Sequence, residues 1–306
     1  METEPVAPPA LSVIIPAYNS HATIAGCLEA LARQTFRDFE TIVVDSGPDG
    51  TAERIVAESF PQVRFERSAR RLLPHAARNR GIELSRGELL VFTDPDIYAR
   101  PEWLERLAGA HALTGETVVG ALACHGRRWL DQGIHLCKFS KWLPGGEARA
   151  VDMSPTANML ISRRQFEDAG GLPGDQMLGD VTLSRRLHQR GVRLWFEPQA
   201  VVEHHHLQDV AGFLRERYTR GKIYGDLRLG WVARRRASSL AYLIVTVLPV
   251  RLARVMGLVA LHCWKGNQIG WYLGTLPLIA AGHAASLAGE AVTYSRRLAP
   301  LRTADA

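Results

Sequence analysis

The sequence lacks the patterns that several common classes of protein require. Its four cysteines have no short paired spacing, which argues against a disulfide framework and a zinc site and indicates a reducing compartment. No G-x-G-x-x-G motif follows the first predicted strand, so the dinucleotide-binding fingerprint of an oxidoreductase is missing. Residues 1–9 contain acids and prolines where a secretory signal has a basic and then an apolar stretch. We therefore expect a cytosolic first domain.

A glycine-rich phosphate loop is also missing. A nucleotidyltransferase would need such a loop, with a basic residue, near the first strand, and residues 11–23 contain none. The sequence also contains no internal repeat and no low-complexity tract. These absences leave an α/β enzyme of another class, or a binding module, as the interpretations to test.

Positive charge is in excess, with a net charge of +6, and much of it lies between Arg215 and Arg254. An excess of this kind predicts anionic partners. The basic cluster lacks the interleaved aromatic residues of a platform for single-stranded nucleic acid, and it stands directly before an apolar segment. We therefore expect a membrane surface, and no nucleic acid, as the partner. A solvated helix face stays open as the alternative.

Short apolar strands alternate with helical patterns over the first hundred residues. The predicted strands are residues 11–16, 41–45, 62–66 and a run that ends at Asp94, and the predicted helices are residues 21–34, 51–59 and 75–84. This alternation predicts an α/β fold with a mostly parallel sheet that binds ligands at the carboxyl ends of its strands. Asp45, Asp94 and Asp96 lie at such ends.

The pattern is less regular after Arg100. A helix over residues 101–111 and a strand over residues 117–124 are followed by residues 126–149, which show no clear period and are interpreted as a long substrate-facing loop. The remaining predicted elements are strands at 151–162 and 194–203 and helices at 164–169 and 181–189.

Two largely uncharged stretches end the chain, at residues 237–250 and 266–289. The second has about 24 residues, against the roughly 20 that a transmembrane helix needs. Arg251 and Arg254 follow the first, and arginine is costly at a bilayer centre. A transmembrane hairpin, amphipathic helices in the interface and a buried helical pair all stay open. The basic residues Arg234–Arg236 and Arg296–Arg297 would leave both ends of a hairpin in the cytosol.

Two carboxylates one residue apart, Asp94 and Asp96, close the apolar run Glu88–Phe92. Hard oxygen ligands at the end of a buried strand suit a divalent cation that carries phosphate. The motif therefore predicts a metal-diphosphate site. The alternative is a simple turn, since Asp-Pro-Asp is favourable in turns.

Several blocks occur in an order that resembles the nucleotide-sugar half of family 2 glycosyltransferases of the GT-A fold. These blocks are Ser12–Asn19, Ile42–Gly47 with Asp49–Thr51, Ala77–Ile82 and Asp94–Asp96. The resemblance continues into that family's acceptor side through Thr156–Leu160, Gly170–Leu172 and Leu178–Leu187.

The resemblance implies a GT-A domain, with a Rossmann-like and mostly parallel sheet, over residues 11–230. Its nucleotide-sugar half would be residues 11–100 and its acceptor half residues 101–230. An N-terminal tail, residues 1–10, would precede it, and a membrane-associated region of apolar helical segments, residues 231–306, would follow.

The resemblance also implies roles for residues of the donor half. Tyr18 would lie against the base, with Pro16 beside it, and Asp45 would accept a hydrogen bond from the base or ribose. Arg78 would approach the nucleotide, and Asp94 would lie near the ribose or the metal. For Asp45 a turn cap, and for Tyr18 ordinary packing, are the alternatives.

Asp96 is the candidate ligand of a Mg²⁺ or Mn²⁺ ion, which as a Lewis acid would neutralise the leaving diphosphate. A histidine of Val201–His206 could complete the coordination, since imidazole tolerates Mn²⁺ better than it does Mg²⁺. We favour His204, with His206 as the alternate. A solvated loop is the competing interpretation of the three consecutive histidines.

An inverting transfer needs a base that takes the proton from the acceptor hydroxyl, and Asp180 matches that role in the resembling family. The family usually has an acid before this aspartate, where this chain has Gly179. Asp180 could also act as a helix cap.

Asn158, in the acceptor-side block, and two arginines farther on are candidates for the acceptor or phosphate side. Arg217 and Arg220 lie in the stretch Leu214–Gly221, which is similar to the Gln-x-x-Arg-Trp block of processive synthases, with Arg217 as its arginine but Leu214 and Tyr218 in place of its Gln and Trp. This departure argues against a processive synthase.

We therefore predict a metal-dependent, inverting glycosyltransferase at the cytoplasmic side of the inner or plasma membrane. It would use a nucleotide-sugar donor, a UDP-sugar being favoured, and a lipid-linked or cell-envelope saccharide acceptor. The alternative is a catalytically silent nucleotide-sugar-binding module of the same fold.

Overall fold

The computed structural model describes residues 7–232 and 235–298, with the side chains of Arg235 and Arg236 outside the description. Arg234, in the predicted basic run, also lies outside the described residues. The contacts between Cα atoms divide the chain into two units. The sheet unit comprises residues up to 125 together with 142–205, and the helical unit comprises residues 126–141 together with those from 206 onward. The predicted functional domains stay a prediction.

The sheet unit contains all nine strands of one mixed sheet. They are β1 (Leu11–Ala17), β2 (Phe39–Asp45), β3 (Arg64–Arg67), β4 (Leu89–Phe92), β5 (Ile97–Ala99), β6 (Thr117–Cys124), β7 (Arg149–Val151), β8 (Met159–Ser162) and β9 (Leu194–His204). Their order is β3-β2-β1-β4-β8-β6-β9-β5, with β7 also paired to β9.

The longest pairings, β1 with β2 and β6 with β9, are parallel, as are β1 with β4 and β2 with β3. β8 is antiparallel to β4 and β6, and β5 and β7 are antiparallel to β9. Every residue of β1 is buried, as expected for a central strand covered on both faces. The predicted α/β class with a mostly parallel sheet is confirmed.

The helices are numbered along the chain. They are α1 (Ile24–Ala32), α2 (Thr51–Ser59), α3 (Pro74–Leu84), α4 (Trp103–Thr114), α5 (Trp129–Phe139), α6 (Arg163–Asp168), α7 (Gly179–Gln189), α8 (Val210–Gly230), α9 (Arg235–Val247), α10 (Pro249–Lys265) and α11 (Ile269–Leu298). α5 and α8–α11 belong to the helical unit, and the others to the sheet unit. Pro74 begins α3, where its fixed φ suits the first turn and its missing N–H costs no hydrogen bond.

The prediction of a long loop over residues 126–149 is wrong, because α5 and a short 3-10 helix, Ser140–Trp142, occupy much of it. Every residue from Asp131 to Cys137 is buried. Asp131, Gln132 and His135 are polar and yet buried, so the apolar residues alone do not mark the buried surface of this helix. The strand predicted over residues 151–162 is shorter, since only Met159–Ser162 pairs as β8 there.

In the helical unit, α8 packs directly on α11 through glycine. A Cβ atom added at Gly221 would lie 2.0 Å from the carbonyl oxygen of Ser286, and one at Gly289 would lie 2.1 Å from that of Tyr218. Any larger residue at either position would force the helices apart. The absence of these side chains therefore permits backbone-to-backbone contact along the pair.

Glu290 of α11 is buried and holds two arginines. Its Oε2 lies 3.3 Å from Nη1 of Arg228 and 2.8 Å from Nη2 of Arg251, and the Tyr294 hydroxyl donates to it at 3.1 Å. Arg251 is one of the two arginines that follow the first uncharged stretch. The structure neutralises its charge inside the helical unit.

Among the described residues, no single helix has the length and apolar composition to cross a membrane. Residues Ala237–Val247 and Pro249–Lys265 meet the criterion only as a pair, and the pair is bent by 67° at the break between them.

Candidate active site

The carboxyl ends of β1, β2 and β4 lie side by side and form what we call the donor edge, defined by Tyr18, Asp45 and Asp94. β1 is the middle strand, with Ala17 paired to Asp45 on one side and Ile14 paired to Phe92 on the other. Parallel strands end at the same edge of a sheet, so three residues distant in sequence meet there.

A buried arginine fixes Asp94 at this edge. Arg78, in α3, is only 2% exposed, and its Nη2 donates to the Asp94 carboxylate and to the carbonyl oxygens of Thr93 (3.3 Å) and Thr156 (3.4 Å). Burial raises the pKa of Asp94, and the Arg78 charge opposes that shift. Since these contacts are with protein atoms, the structure shows Arg78 positioning Asp94, and a contact with nucleotide stays a prediction.

Asp45 and Tyr18 differ in exposure. Asp45 is buried, its Oδ1 accepts a hydrogen bond from the Gly47 amide at 3.1 Å, and burial raises its pKa. The turn cap that the sequence left open is therefore present. Tyr18 is 39% exposed, and the Arg71 guanidinium lies 4.5 Å from its ring centroid, a cation-π arrangement. An exposed ring at a strand end is available to stack on a base, and Pro16 lies buried in β1 before it.

Asp96 and His204 lie together. Asp96 Oδ2 is 3.8 Å from His204 Nε2, because β5 pairs with β9 so that Ile97 opposes His204. The amide of His205 also donates to the carbonyl of Asp96 at 2.8 Å. One carboxylate and one imidazole are a donor set that Mn²⁺ accepts, so these residues fit a divalent cation. Both side chains come from backbone that the strand pairing holds in place.

The alternate histidine, His206, lies in the helical unit, where its Nε2 is 3.1 Å from Nδ1 of the buried His135. Within the sheet unit, the imidazole of His204 lies 3.8 Å from the Asp96 carboxylate.

Asp180 lies in the first turn of α7, and its Oδ1 accepts a hydrogen bond from the Val181 amide at 3.0 Å. The residue before it, Gly179, donates its amide hydrogen to Nε2 of His75 at 2.9 Å. His75 was not predicted from the sequence, and the one signal that pointed to this place is Gly179, where the resembling family usually has an acid.

The three acceptor-side candidates have different surroundings. Asn158 is fully buried, accepts from Trp103 Nε1 at 2.8 Å and donates to the carbonyls of Ala121 and Ala200, which gives it a structural role between β6 and β9. Arg217 and Arg220 lie in α8 of the helical unit, where Arg220 Nε is 3.9 Å from Glu216 Oε1.

The fold and the carboxylates at the donor edge are those of an α/β protein with a site at the carboxyl ends of its strands, and the comparisons with known proteins define its class. Residues 12–161 match the model of glycosyl transferase family 2. Glycosyltransferase AglE of Haloferax volcanii is 29% identical over 254 residues, 79% of this chain and 82% of AglE. Validoxylamine A glucosyltransferase of Streptomyces hygroscopicus is 34% identical over 123 residues, 39% of this chain and 29% of that protein.

Solved structures show the same fold. The mannosyltransferase PcManGT from Pyrobaculum calidifontis, in complex with GDP-Man and Mn²⁺, has a TM-score of 0.52 and 20% identity over 89% of this chain and 87% of its own. GalNAc-T7 with UDP, GalNAc and Mn²⁺ has a TM-score of 0.54 and 17% identity over 66% of this chain and 45% of its own. The chain belongs to glycosyl transferase family 2 and is a glycosyltransferase of the GT-A fold.

Proposed function

We propose that this glycosyltransferase moves a sugar, with inversion, from a nucleoside diphosphate to a lipid-linked or cell-envelope saccharide acceptor, and that it needs a divalent cation. The observation that carries the proposal is the pair of candidate ligand atoms on Asp96 and His204, 3.8 Å apart, beside the donor edge. Neighbours of the same fold bind GDP-Man or UDP together with Mn²⁺, which supports this class of donor. A UDP-sugar is the favoured donor.

In this proposal the donor edge binds the nucleotide. The exposed ring of Tyr18 stacks on the base, and the free lone pairs of the Asp45 carboxylate accept a hydrogen bond from the base or ribose. Arg78 holds Asp94 so that the carboxylate faces the ribose side of the donor. The rigid backing of these side chains by buried strands keeps the site preorganised.

Asp96 and His204 would hold the cation, which would supply neutralisation of the diphosphate charge. Asp180 takes the proton from the acceptor hydroxyl as the hydroxyl oxygen attacks the anomeric carbon from the face opposite the diphosphate. The new glycosidic bond forms as the bond to the diphosphate oxygen breaks, so the configuration at that carbon is inverted.

The acceptor class rests on the helical unit. α10 exposes Leu258, Leu261 and Trp264 together with the basic residues Arg254 and Lys265. Arg254, Leu258, Leu261 and Lys265 share one helical face, which we call the α10 face. Apolar side chains between two cationic ones suit a lipid headgroup region of negative charge. We place this face on the cytoplasmic side of the inner or plasma membrane.

The proposal is tested by titrating the full chain with UDP and with GDP, in the presence and absence of Mn²⁺. We expect Mn²⁺ to strengthen nucleotide binding at least tenfold in the wild type, and Asp96→Ala to abolish that gain because it removes a ligand of the cation. The matched control is Asp168→Ala, an exposed carboxylate on α6. Absence of nucleotide binding to the wild type, or a Mn²⁺ effect retained in Asp96→Ala, would contradict the proposal.

A further inference from the structure

The space beside Gly179 is filled by the ring of His75. A Cβ atom added at Gly179 would lie 2.7 Å from Cδ2 and 3.0 Å from Cγ of His75, closer than such atoms approach in proteins. Both residues are buried. An acid at position 179, which the resembling family usually has, would therefore require the His75 ring to move.

The imidazole also accepts a hydrogen bond from a backbone amide of α7. The first amides of a helix have no partner within the helix, and the Gly179 amide finds one in Nε2 of His75 at 2.9 Å. An accepting nitrogen carries no proton, so this contact requires the neutral ring with its proton on Nδ1. His75 thus ties the start of α7 to the start of α3.

The turn before Asp180 has a strained backbone, which the hydrogen bond from Gly179 to His75 helps to hold in place. Leu178 has φ +61° and ψ +30°, in the left-handed region, although leucine has a Cβ atom. This conformation costs about 1 kcal/mol or more and persists only where the surrounding contacts enforce it. Leu178 is buried, and its carbonyl accepts from the Val181 amide at 3.1 Å. That amide also donates to the carboxylate of Asp180 at 3.0 Å.

Helix α3, which carries His75, also contacts the donor edge. His75 and Arg78 are three residues apart in α3 and therefore lie on one face of it. Arg78 bonds to Asp94, and His75 bonds to the residue before Asp180. One turn of α3 thus contacts both carboxylate-bearing segments.

We propose that His75 is a positioning residue for the transfer, holding the first turn of α7 so that the Asp180 carboxylate faces the acceptor hydroxyl. The inference rests on the proposed role of Asp180 as the base. In this role His75 takes no proton from substrate and acts through the backbone of Gly179.

Two substitutions separate the hydrogen bond from the ring volume. His75→Phe keeps a planar ring but removes the acceptor, whereas His75→Gln restores an acceptor oxygen at a similar reach. The control is His188→Phe, an exposed histidine near the other end of α7. The rate readout is hydrolysis of UDP-glucose and GDP-mannose with Mn²⁺, and the structural readout is amide hydrogen exchange of residues 174–183.

We expect His75→Phe to lower the rate at saturating donor by about 10- to 100-fold, since a displacement of about 1 Å of a catalytic group has effects of that size. The KM for donor should stay within about twofold, exchange over residues 174–183 should speed up, and His75→Gln should recover both readouts. His188→Phe should behave as the wild type.

Unchanged exchange in His75→Phe would overturn the proposal, and so would faster exchange with an unchanged rate, which would make His75 a structural cap only. Failure of the proposed function has a different signature. If Asp180→Asn hydrolyses donor as fast as the wild type, the assignment of the base fails, whatever the exchange shows. A recovery by His75→Gln in exchange but not in rate would likewise contradict positioning.

Discussion

The sheet unit and the helical unit bury charged side chains in different ways. In the sheet unit the buried Arg78 reaches the end of a strand, where Asp94 stays partly open to solvent. In the helical unit the buried Glu290 faces inward and binds Arg228 and Arg251 between helices. A buried charge at a sheet edge can prepare a ligand site, whereas a buried charge between helices fixes their packing.

The ion pair of Glu216 and Lys138 is a second example of buried charge that fixes the packing of helices. Burial by itself opposes ionisation of Glu216, but Lys138 at 3.1 Å and Arg220 nearby lower its pKa to about 2. The group therefore stabilises the folded state above its unfolded pKa near 4.5, and this contribution is lost as the pH falls through the range toward 2. All of its partners lie within the helical unit.

The largest effect on stability should follow from removing Arg78. Arg78→Met keeps much of the side-chain volume but leaves Asp94 without its cation and leaves the Thr93 and Thr156 carbonyls without a donor. We expect a loss of about 3 kcal/mol in the free energy of unfolding, measured by urea titration. The control is Arg33→Met, an exposed arginine in a surface pair with Glu29. A loss below about 1 kcal/mol would show that Asp94 does not depend on Arg78.

A smaller loss should follow from Glu290→Gln, which leaves the two arginines of the helical unit with a neutral partner. We expect about 2 kcal/mol, since hydrogen bonds to the amide persist while the charge attraction is lost. Asp226→Asn, in an exposed pair with Arg297, is the matched control and should change stability by less than about 0.5 kcal/mol. Equal effects of the two substitutions, measured by thermal unfolding, would remove the contrast between buried and surface pairs.

The smallest effect concerns the α10 face. Leu261→Glu should weaken binding to vesicles of phosphatidylcholine and phosphatidylglycerol by about tenfold, because it replaces an apolar side chain of this face, 47% exposed, with a negative charge. The measurement is co-sedimentation at several lipid concentrations. Leu113→Glu, an 88% exposed leucine in the sheet unit, should bind as the wild type does. A wild type that fails to sediment with vesicles would contradict the placement on a membrane.

The meeting of Asp45 and Asp94 at one edge of the sheet could be predicted because its origin is local, while their role in binding a donor stays a proposal. Asp45 and Asp94 each close a short apolar run, and the order of such runs predicts a parallel sheet whose ends meet. α5 was missed because three of its buried residues, Asp131, Gln132 and His135, are polar, so its apolar residues alone do not mark its buried surface. His75 was missed because a histidine at the start of a helix has no distinguishing pattern. The departure at Gly179 was visible in the sequence, but its cause is a ring 104 residues earlier in the chain.

The pairing of Asp96 with His204 was predicted only as one of two choices. Alternation along a strand cannot decide between His204 and His206, since both have the same parity. The register of β5 against β9 brings His204 to Asp96, because it sets Ile97 opposite His204, and the role of either histidine as a ligand stays a prediction. Register depends on contacts between distant segments, which a single sequence does not reveal.

The proposed role of Asp180 as the general base is tested by measuring nucleotide binding and turnover separately. Asp180→Asn and the wild type are compared for binding of UDP and GDP with Mn²⁺ and for hydrolysis of the corresponding nucleotide sugars. For Asp180→Asn we expect a nucleotide affinity within about twofold of the wild type and a hydrolysis rate lowered by about 10²- to 10⁴-fold, the range for loss of a general base. A wild-type rate in Asp180→Asn, or a parallel loss of nucleotide binding, would contradict it.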